Sequence, residues 1–320
     1  MSDLLPVSVI IPTRNCRDEL IEHLKMMHPV FEKAAQVIGV DGSSEDGTAE
    51  VLREFIESRS NAKFLSLPPG LYEGWNAAVA EAEQPWVYFS TIGDFISLDG
   101  LTKLMGNAGS LKLDLLISPP KMVQEDGAPS SQTWPIHHFT SAFKTKEIHV
   151  LSLEQKILGF CSYFTGSILG SSASNIYKTD FLKQHPFPTD FGHAGDTIWA
   201  VRNLIEMRAA IILENFATFR LGWKFKEADA RIQRDTFEKM CKEAKITLGK
   251  ISIAEYDFLH GWFSALCDSK LVLWNWLASQ AELAKSHNEL IAVNQKMAID
   301  LKKRLPEWIF QMIQRRLMKK

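Results

Sequence analysis

Residues Pro85–Asp99, with the sequence PWVYFSTIGDFISLD, combine a short apolar segment with a single carboxylate that follows it. The apolar segment, Trp86–Ser90, has the length of a strand and predicts a strand in the core of a sheet. It stops before Gly93, and Asp94 comes next. Ligands of an open α/β sheet bind just beyond the carboxyl ends of its strands, so Asp94 is well placed to hold a metal or a sugar. The alternative is that Asp94 caps a helix that begins near residues 97–98.

Three more apolar segments precede this strand, and each is followed by a helical pattern. Strands are predicted at Val7–Ile11, Val37–Val40 and Ala62–Leu67, and helices at Asp18–Lys33, Ala49–Glu57 and Tyr72–Glu83. Strands that alternate with helices are typical of a doubly wound α/β fold with a parallel sheet. Neither GxGxxG after the first strand nor GxxxxGK[ST] occurs, so the sequence predicts neither a dinucleotide-binding fingerprint nor a P-loop.

The composition is that of a globular protein with a substantial core. The chain has 320 residues, of which 46% are hydrophobic, and a formal net charge of −2. This charge does not point to nucleic acid, so no nucleic-acid partner is predicted. The four cysteines include no CxxC pair, which is typical of a reducing compartment. We find no signal-peptide pattern and no apolar segment of about 18 residues, and we therefore expect a cytoplasmic protein.

Acidic loops follow two of the predicted strands. The second strand ends at Asp41, which begins the loop DGSSEDGT at residues 41–48, and the fourth strand is followed by Asp94. Carboxylates at strand ends suit a ribose hydroxyl, a base N–H or a divalent cation, and they do not suit bare phosphate.

Three segments, in this order, resemble the family-2 glycosyltransferases, which are nucleotide-sugar-dependent enzymes of the GT-A fold. They are VSVIIPTRN at 7–15, VDGSSEDGT at 40–48, similar to the family's VDGGSTDGT-type loop, and GLYEGWNAA at 70–78, similar to its GIYDAMNKG segment. The resemblance is strong over residues 6–100 and thinner over 160–225. It implies an α/β, GT-A-like catalytic domain over residues 1–225, with a mostly parallel sheet flanked by helices.

The resemblance also implies an activity. The expected reaction is an inverting, metal-assisted transfer of a sugar from a nucleoside diphosphate sugar to a hydroxyl of a glycan or a lipid-linked acceptor. UDP is the expected nucleotide. The residues implied to bind the donor are Pro12, Thr13, Asn15, Asp41, Asn76 and Gly93, with Asp41 on the base.

The metal motif departs from the family's pattern, which usually has two or three carboxylates. Here TIGD at residues 91–94 keeps only the last carboxylate, and Gly93 stands where an Asp is common. The resemblance implies that Asp94 is the ligand of Mg²⁺ or Mn²⁺. One carboxylate completed by phosphate oxygens and water is a normal Mg²⁺ site.

A later segment, His185–Trp199, is similar to the family's segment in which an acidic residue opens a helix beneath the acceptor. The match gives Asp196 as the general base. The alternative is that Asp196 is only the N-cap of a helix over residues 197–207. Both roles are compatible, because a helix N-terminus stabilises a carboxylate.

For a positive charge over the diphosphate, the candidates are Arg220 and Lys224, and the alternative is a solvated basic pair.

The region 100–165 is less regular, and by the resemblance it faces the acceptor. A helix is predicted at Asp99–Gly106, a strand at Leu113–Ser118 and a hairpin or loop at Lys121–Pro135. The adjacent His137 and His138 suggest a metal site, but no third ligand is near. A packing or surface role is therefore favoured for both histidines.

From residue 226 onward the pattern is helical, which predicts an α-helical C-terminal region over residues 226–320. Its last part, residues 302–320, carries an apolar stripe with Trp308, flanked by lysines and arginines. A basic amphipathic helix of this kind is typical of peripheral contact with the inner face of a membrane. The alternative is a helix that packs on the catalytic domain or on a second subunit, which would give a homo-oligomer.

Two other functions stay open at this point. One is a nucleotide-binding or interaction module on the same fold, with a degraded metal motif. Gly93 favours that module, whereas the acidic helix start at Asp196 favours the enzyme. The other is a nucleotidyltransferase, which normally has a Gly-rich basic loop after its first strand. The turn at residues 12–15 lacks those glycines.

Overall fold

A computed structural model describes residues 4–140, 143, 148–161, 167–221 and 230–250. The strands are β1 (Leu5–Thr13), β2 (Ala34–Asp41), β3 (Ala62–Ser66), β4 (Trp86–Phe89), β5 (Phe95–Ile96), β6 (Leu115–Ile117), β7 (Lys121–Val123), β8 (Ile148–Val150), β9 (Asn175–Lys178), β10 (Ala209–Ile212) and β11 (Ala217–Arg220). The helices are α1 (Arg17–Met26), α2 (His28–Lys33), α3 (Thr48–Glu57), α4 (Leu71–Ala80), α5 (Leu98–Ser110), α6 (Pro135–Thr140), α7 (Leu153–Cys161), α8 (Thr179–Gln184), α9 (Gly195–Asn203) and α10 (Ala230–Gly249). Short 3₁₀ turns lie at Ser172–Ser174 and Gly192–Ala194.

The strands form two sheets, of which the larger has the order β3-β2-β1-β4-β9-β6-β10-β8 and the smaller the order β5-β11-β7. β1 pairs in parallel with both β2 and β4, and β2 pairs in parallel with β3. The chain thus runs outward from β1 to β3 and then returns to the other side of β1. Such a switch point opens a crevice beyond the carboxyl ends of β1 and β4. The predicted parallel, doubly wound arrangement of the first hundred residues is confirmed.

The central strands explain the continuous β-branched runs of the sequence. β1 and β2 are interior strands covered on both faces, and such strands need apolar side chains at successive positions. Ile10 and Ile11 are completely buried. Leu52 of α3 and Leu104 of α5 belong to the same core as Val9. Burial of one such side chain contributes about 1.5–3 kcal/mol, so these strands hold the loops at their carboxyl ends firmly in place.

Some elements differ from the prediction. The single helix expected at residues 18–33 is two helices, α1 and α2, because Pro29 lies in the first turn of α2 and cannot continue the hydrogen bonds of α1. The short elements β5 and β8 and the helices α6 and α7 were not predicted. A two- or three-residue strand is too short to show the alternation by which strands are recognised.

The interpretation of Asp94 as a helix cap is wrong. The next helix, α5, begins at Leu98, and its N-cap is Ser97, whose Oγ accepts the backbone N–H of Gly100 at 3.0 Å. Asp94 precedes β5, so its carboxylate is available for another role.

The chain divides into two compact units, residues 1–140 with 145–224, and residues 141–144 with 225–320. In the second unit α10 agrees with the predicted helical character, and its buried side chains include Cys241, Ala244 and Leu248. The predicted helix over residues 302–320 lies outside the described residues, and the boundary at residue 225 stays a prediction. Among the residues that the structure describes, every helix is too short or too polar to cross a bilayer.

Candidate active site

The ends of β1 and β2 bring two predicted donor-binding residues together. Thr13 and Asp41 are the last residues of these strands and pair in register. The Thr13 hydroxyl lies 3.1 Å from Asp41 Oδ1, and Ser44 donates to the same carboxylate through its hydroxyl (2.6 Å) and its backbone N–H (2.9 Å). An ionised carboxylate accepts about four hydrogen bonds, so these three leave one acceptor position on Asp41.

Asn15 joins the turn after β1 to the loop after β2. Its backbone is left-handed, with φ of 48°, a conformation that Asn tolerates better than most residues. Its N–H donates to Ser44 Oγ at 2.9 Å, and its Oδ1 accepts the N–H of Glu45 at 2.9 Å. Pro12, half-buried, precedes Thr13 on β1. Pro12, Thr13, Asn15 and Asp41 therefore lie together, beside the crevice between β1 and β4.

Asp46 completes this loop and was not singled out from the sequence. Its Oδ1 accepts both the N–H (3.0 Å) and the hydroxyl (2.5 Å) of Thr48, and its Oδ2 accepts the N–H of Arg17 at 3.2 Å. Desolvation alone raises the pKa of Asp46, but the hydrogen bonds from Thr48 and Arg17 outweigh it and lower that pKa. The exposed Asp46 thus fixes the start of α3 to the start of α1.

A second cluster surrounds Asp94, just beyond β4. Gly93 has a φ of 90°, a backbone angle that residues other than glycine rarely adopt. This backbone conformation explains why a glycine occupies a position where an Asp is common. Asp94 is 4% exposed, and Ser171 Oγ donates to its Oδ2 at 2.8 Å. Burial raises the pKa of Asp94 to about 7, against opposing effects of the Ser171 hydroxyl and of the backbone N–H and charge of Arg220.

A cavity of about 420 Å³ lies beside this cluster, lined by Glu19, Glu22, His23, Lys25, Met26, Gly93 and Arg220. His23 is buried, its Nε2 lies 2.8 Å from Ser90 Oγ, and its Nδ1 has no hydrogen-bond partner in the described part of the chain. Burial lowers the pKa of His23 to about 4. Arg220 is half-buried, and its charge and backbone N–H act on Asp94, whereas Lys224 lies outside the described residues.

The donor atoms around Asp94 fit a hard cation. The carboxylate of Asp94 is an oxygen ligand of the kind that Mg²⁺ and Mn²⁺ prefer, and phosphate oxygens and water complete such sites. Within the described ranges, no group of three or more His, Cys, Asp or Glu side chains could hold a metal ion by itself. Any metal at Asp94 would therefore take most of its ligands from the substrate and from water.

His137, the first residue of the histidine pair, does not serve as a metal ligand. Its Nδ1 accepts the N–H of Trp134 at 2.9 Å, and its Nε2 lies 2.8 Å from the carbonyl of Pro120. Both ring nitrogens are engaged with backbone groups, which confirms the packing role for His137. The His138 side chain lies outside the described residues.

A third cluster lies around Asp196, at the first turn of α9. The helix begins at Gly195 and its N-cap position is Ala194, so the interpretation of Asp196 as the N-cap is wrong. Asp196 is half-buried, and its Oδ1 accepts the N–H of Thr197 at 2.6 Å. Burial raises the pKa of Asp196, and the hydrogen bonds from Thr197 only partly offset this effect.

Helix α4 supports this third cluster. The buried Tyr72 donates its hydroxyl to the carbonyl of His193 at 3.1 Å. Asn76 Nδ2 donates to the carbonyl of Phe187 at 2.8 Å, and its Oδ1 accepts the N–H of Phe187 at 2.9 Å. The structure therefore places Asn76, a predicted donor-binding residue, against the segment that leads to Asp196, and its contact with the donor stays a prediction.

The family model of glycosyl transferase family 2 matches residues 8–167, which is half of the chain. The chain belongs to glycosyltransferase family 2. This confirms the enzyme over the interaction module. A search of curated proteins gives no match.

Solved structures show the fold of this glycosyltransferase. TarS 1–349 of S. aureus in complex with UDP-GlcNAc is 19% identical, with a TM-score of 0.57, over 84% of this chain and 71% of the TarS chain. The complex of TarS 1–349 with UDP is 20% identical, with a TM-score of 0.55, over 84% and 70% of the two chains. The mannosyltransferase PcManGT of Pyrobaculum calidifontis, in complex with GDP-Man and Mn²⁺, is 16% identical, with a TM-score of 0.55, over 98% and 85%. The predicted GT-A-like α/β fold is confirmed.

Proposed function

We propose that this glycosyltransferase moves a sugar from a nucleoside diphosphate sugar to a hydroxyl of a glycan or a lipid-linked acceptor, with inversion at the anomeric carbon. We propose UDP as the nucleotide, since UDP and UDP-GlcNAc are held by TarS. GDP is the second nucleotide to test, since PcManGT holds GDP-Man.

The observation that carries the proposal is the half-buried carboxylate of Asp196, with its pKa raised by burial. A carboxylate with a raised pKa accepts a proton near neutral pH more effectively than an ordinary exposed one. Asp196 removes the proton of the acceptor hydroxyl while the hydroxyl oxygen attacks the anomeric carbon. The bond to the diphosphate breaks on the opposite side, so a single displacement inverts the configuration.

The cluster at the ends of β1 and β2 holds the nucleoside. Thr13 and Ser44 orient the Asp41 carboxylate, and its remaining acceptor position suits the N–H of a base. Asn15 is exposed and its backbone is left-handed. Its N–H donates to Ser44 Oγ and so holds the turn after β1 against this loop. This arrangement favours recognition of a base and ribose.

The cluster around Asp94 receives the diphosphate. We propose that Asp94 holds Mg²⁺ or Mn²⁺ there; when bound, such a cation supplies positive charge to the departing diphosphate. The guanidinium of Arg220 provides a fixed positive charge at the same place. Gly93 contributes through its left-handed turn, which carries Asp94 back towards Ser171.

Thermal unfolding with nucleotides tests the donor site. The wild type is heated with UDP, GDP, CMP or dTDP, with and without Mn²⁺, beside Asp94→Ala. We expect UDP with Mn²⁺ to raise the unfolding temperature, since a ligand at a hundredfold excess over Kd stabilises the folded state by about 2.7 kcal/mol. The Mn²⁺-dependent part should vanish in Asp94→Ala. It should persist in the control Asp99→Ala, which loses an exposed carboxylate paired with Lys103. A cooperative unfolding transition whose temperature is the same with and without every nucleotide would contradict the donor site.

We also propose a cytoplasmic location with peripheral membrane contact through residues 302–320, which is supported by the basic amphipathic pattern of that segment. Full-length protein in which Lys302, Lys303 and Arg304 are replaced by Gln should sediment less with anionic vesicles than the wild type. Equal sedimentation would contradict the membrane contact. A homo-oligomer through the C-terminal helices is the alternative occupant of the same apolar stripe, and light scattering of the full chain tests it.

A further inference from the structure

Ser171 caps the 3₁₀ turn at Ser172–Ser174 and contacts Asp94, which lies 77 residues earlier in the chain. Its Oγ donates to Asp94 Oδ2 at 2.8 Å and accepts the backbone N–H of Ala173 at 3.2 Å. Because a hydroxyl has only one proton, that proton is used in the bond to the carboxylate. Ser171 is 7% exposed and Asp94 is 4% exposed, so water has little access to this hydrogen bond.

The turn that carries Ser171 is tied to β4. Tyr88, a completely buried residue of β4, donates its hydroxyl to the carbonyl of Ala173 at 2.9 Å. Within the turn, Ser174 Oγ donates to the carbonyl of Ser171 at 2.7 Å. The backbone on either side of the Ser171 hydroxyl is therefore fixed, and the hydroxyl has a defined place beyond the end of the strand.

The carboxylate of Asp94 needs such a partner in order to hold a cation. Its backbone is fixed by a turn, in which the Asp94 N–H donates to the carbonyl of Thr91 at 3.1 Å, but this bond does not fix the side chain. Carboxylates that bind metals are themselves oriented by hydrogen bonds from neighbouring residues. An ionised carboxylate accepts about four hydrogen bonds, so the bond from Ser171 leaves room for a cation.

We propose that Ser171 is a positioning residue for Asp94: its hydroxyl holds the carboxylate in the orientation in which it binds Mg²⁺ or Mn²⁺. The inference rests on the proposed function, in which Asp94 is the metal ligand at the diphosphate. It gives the serine-rich turn before β9 a role in the donor site.

The test is the binding of Mn²⁺ to the full chain in an excess of UDP, followed through the EPR signal of free Mn²⁺. A protein-free sample of Mn²⁺ and UDP gives the baseline. In Ser171→Ala we expect the affinity for Mn²⁺ to fall about 10–100-fold, because the carboxylate loses the group that orients it. The affinity for UDP without metal, measured by calorimetry, should not change, because the loops after β1 and β2 are intact. If Ser171 served stability alone, the folded variant would bind Mn²⁺ as the wild type does.

Ser174→Ala is the matched control. It removes a buried hydroxyl from the same turn but leaves the hydroxyl of Ser171 at Asp94. We expect its affinity for Mn²⁺ to stay close to that of the wild type. If Ser171→Ala does not fold, Ser171→Cys keeps the shape of the side chain with a weaker donor, and it should lower the affinity for Mn²⁺ in the same direction.

The outcomes separate this inference from the proposed function. Wild-type affinity for Mn²⁺ in Ser171→Ala, or in Ser171→Cys where the alanine variant does not fold, would overturn the role of Ser171 and leave Asp94 as the metal ligand. An equal loss in Ser174→Ala would do the same, since the affinity would then follow the integrity of the turn. Wild-type affinity in Asp94→Ala would instead overturn the proposed metal site, and the role of Ser171 with it.

Discussion

The loops after β1 and β2 and the first turn of α9 are built in different ways. At the strand ends, short polar side chains hold one another: Thr13 and Ser44 satisfy most of the Asp41 carboxylate. At α9, the rings of Tyr72, Trp75 and Phe187 pack on one another and Tyr72 lies against Gly195, while the carboxylate of Asp196 accepts its hydrogen bonds from the adjacent Thr197. A well-bonded carboxylate recognises a ligand, whereas a poorly solvated one is suited to accept a proton.

Replacement of Asp196 by Asn should give the largest effect. It should lower the reaction rate and leave UDP binding at the strand ends unchanged. Loss of a general base lowers the rate about 10²–10⁴-fold. The strand-end loops do not depend on this side chain, so the thermal shift with UDP should stay as in the wild type. UDP release from UDP-GlcNAc and UDP-dependent unfolding are measured on the same sample. A lost thermal shift would mean that the two regions are not independent.

Replacement of Asp41 by Asn tests the other region. The new amide group places N–H donors against the hydroxyls of Thr13 and Ser44, so we expect a loss of about 1–3 kcal/mol of unfolding free energy. UDP affinity, measured by calorimetry, should fall about 10–100-fold, because a hydrogen bond to a charged group is lost. Asp46→Asn is the control, since it weakens the same loop away from the base. Equal losses of affinity in both variants would show that Asp41 acts only through loop stability.

The two regions also differ in how far the sequence predicted them. The strands β1, β2 and β4 and the carboxylates that follow β2 and β4 were predictable, because each of these strands is a largely apolar run and the loop lies next to it in the chain. The partners of Asp94 and of α9 were not. Ser171 is 77 residues from Asp94, and Tyr72 is 121 residues from His193. Such pairs arise from tertiary packing, which no local pattern encodes.

The resemblance and the structure give Asn76 different contacts. The resemblance places it with the donor, whereas its amide holds the backbone of Phe187. In Asn76→Ala the N–H and carbonyl of Phe187 lose their partners, which costs about 1–3 kcal/mol of unfolding free energy. We expect a lower kcat for UDP release with an unchanged affinity for UDP. A weaker affinity with an unchanged kcat would instead assign Asn76 to the donor region.

The last effect concerns stability alone and comes from His23, beside the strand-end region. Its pKa is about 4 in the folded protein, because burial disfavours the charged ring, and 6.5 in the unfolded chain. The unfolded state therefore binds the proton first, and stability is lost as the pH falls from 6.5 towards 4. Each pKa unit corresponds to about 1.4 kcal/mol, so the loss is at most about 3.5 kcal/mol. His23→Gln should show a smaller loss between pH 7 and pH 5 in urea unfolding, whereas the exposed His28→Gln should follow the wild type. If His23→Gln loses as much stability as the wild type over this range, the acid sensitivity arises from another group. The fold would then not depend on a neutral His23 ring at its contact with Ser90.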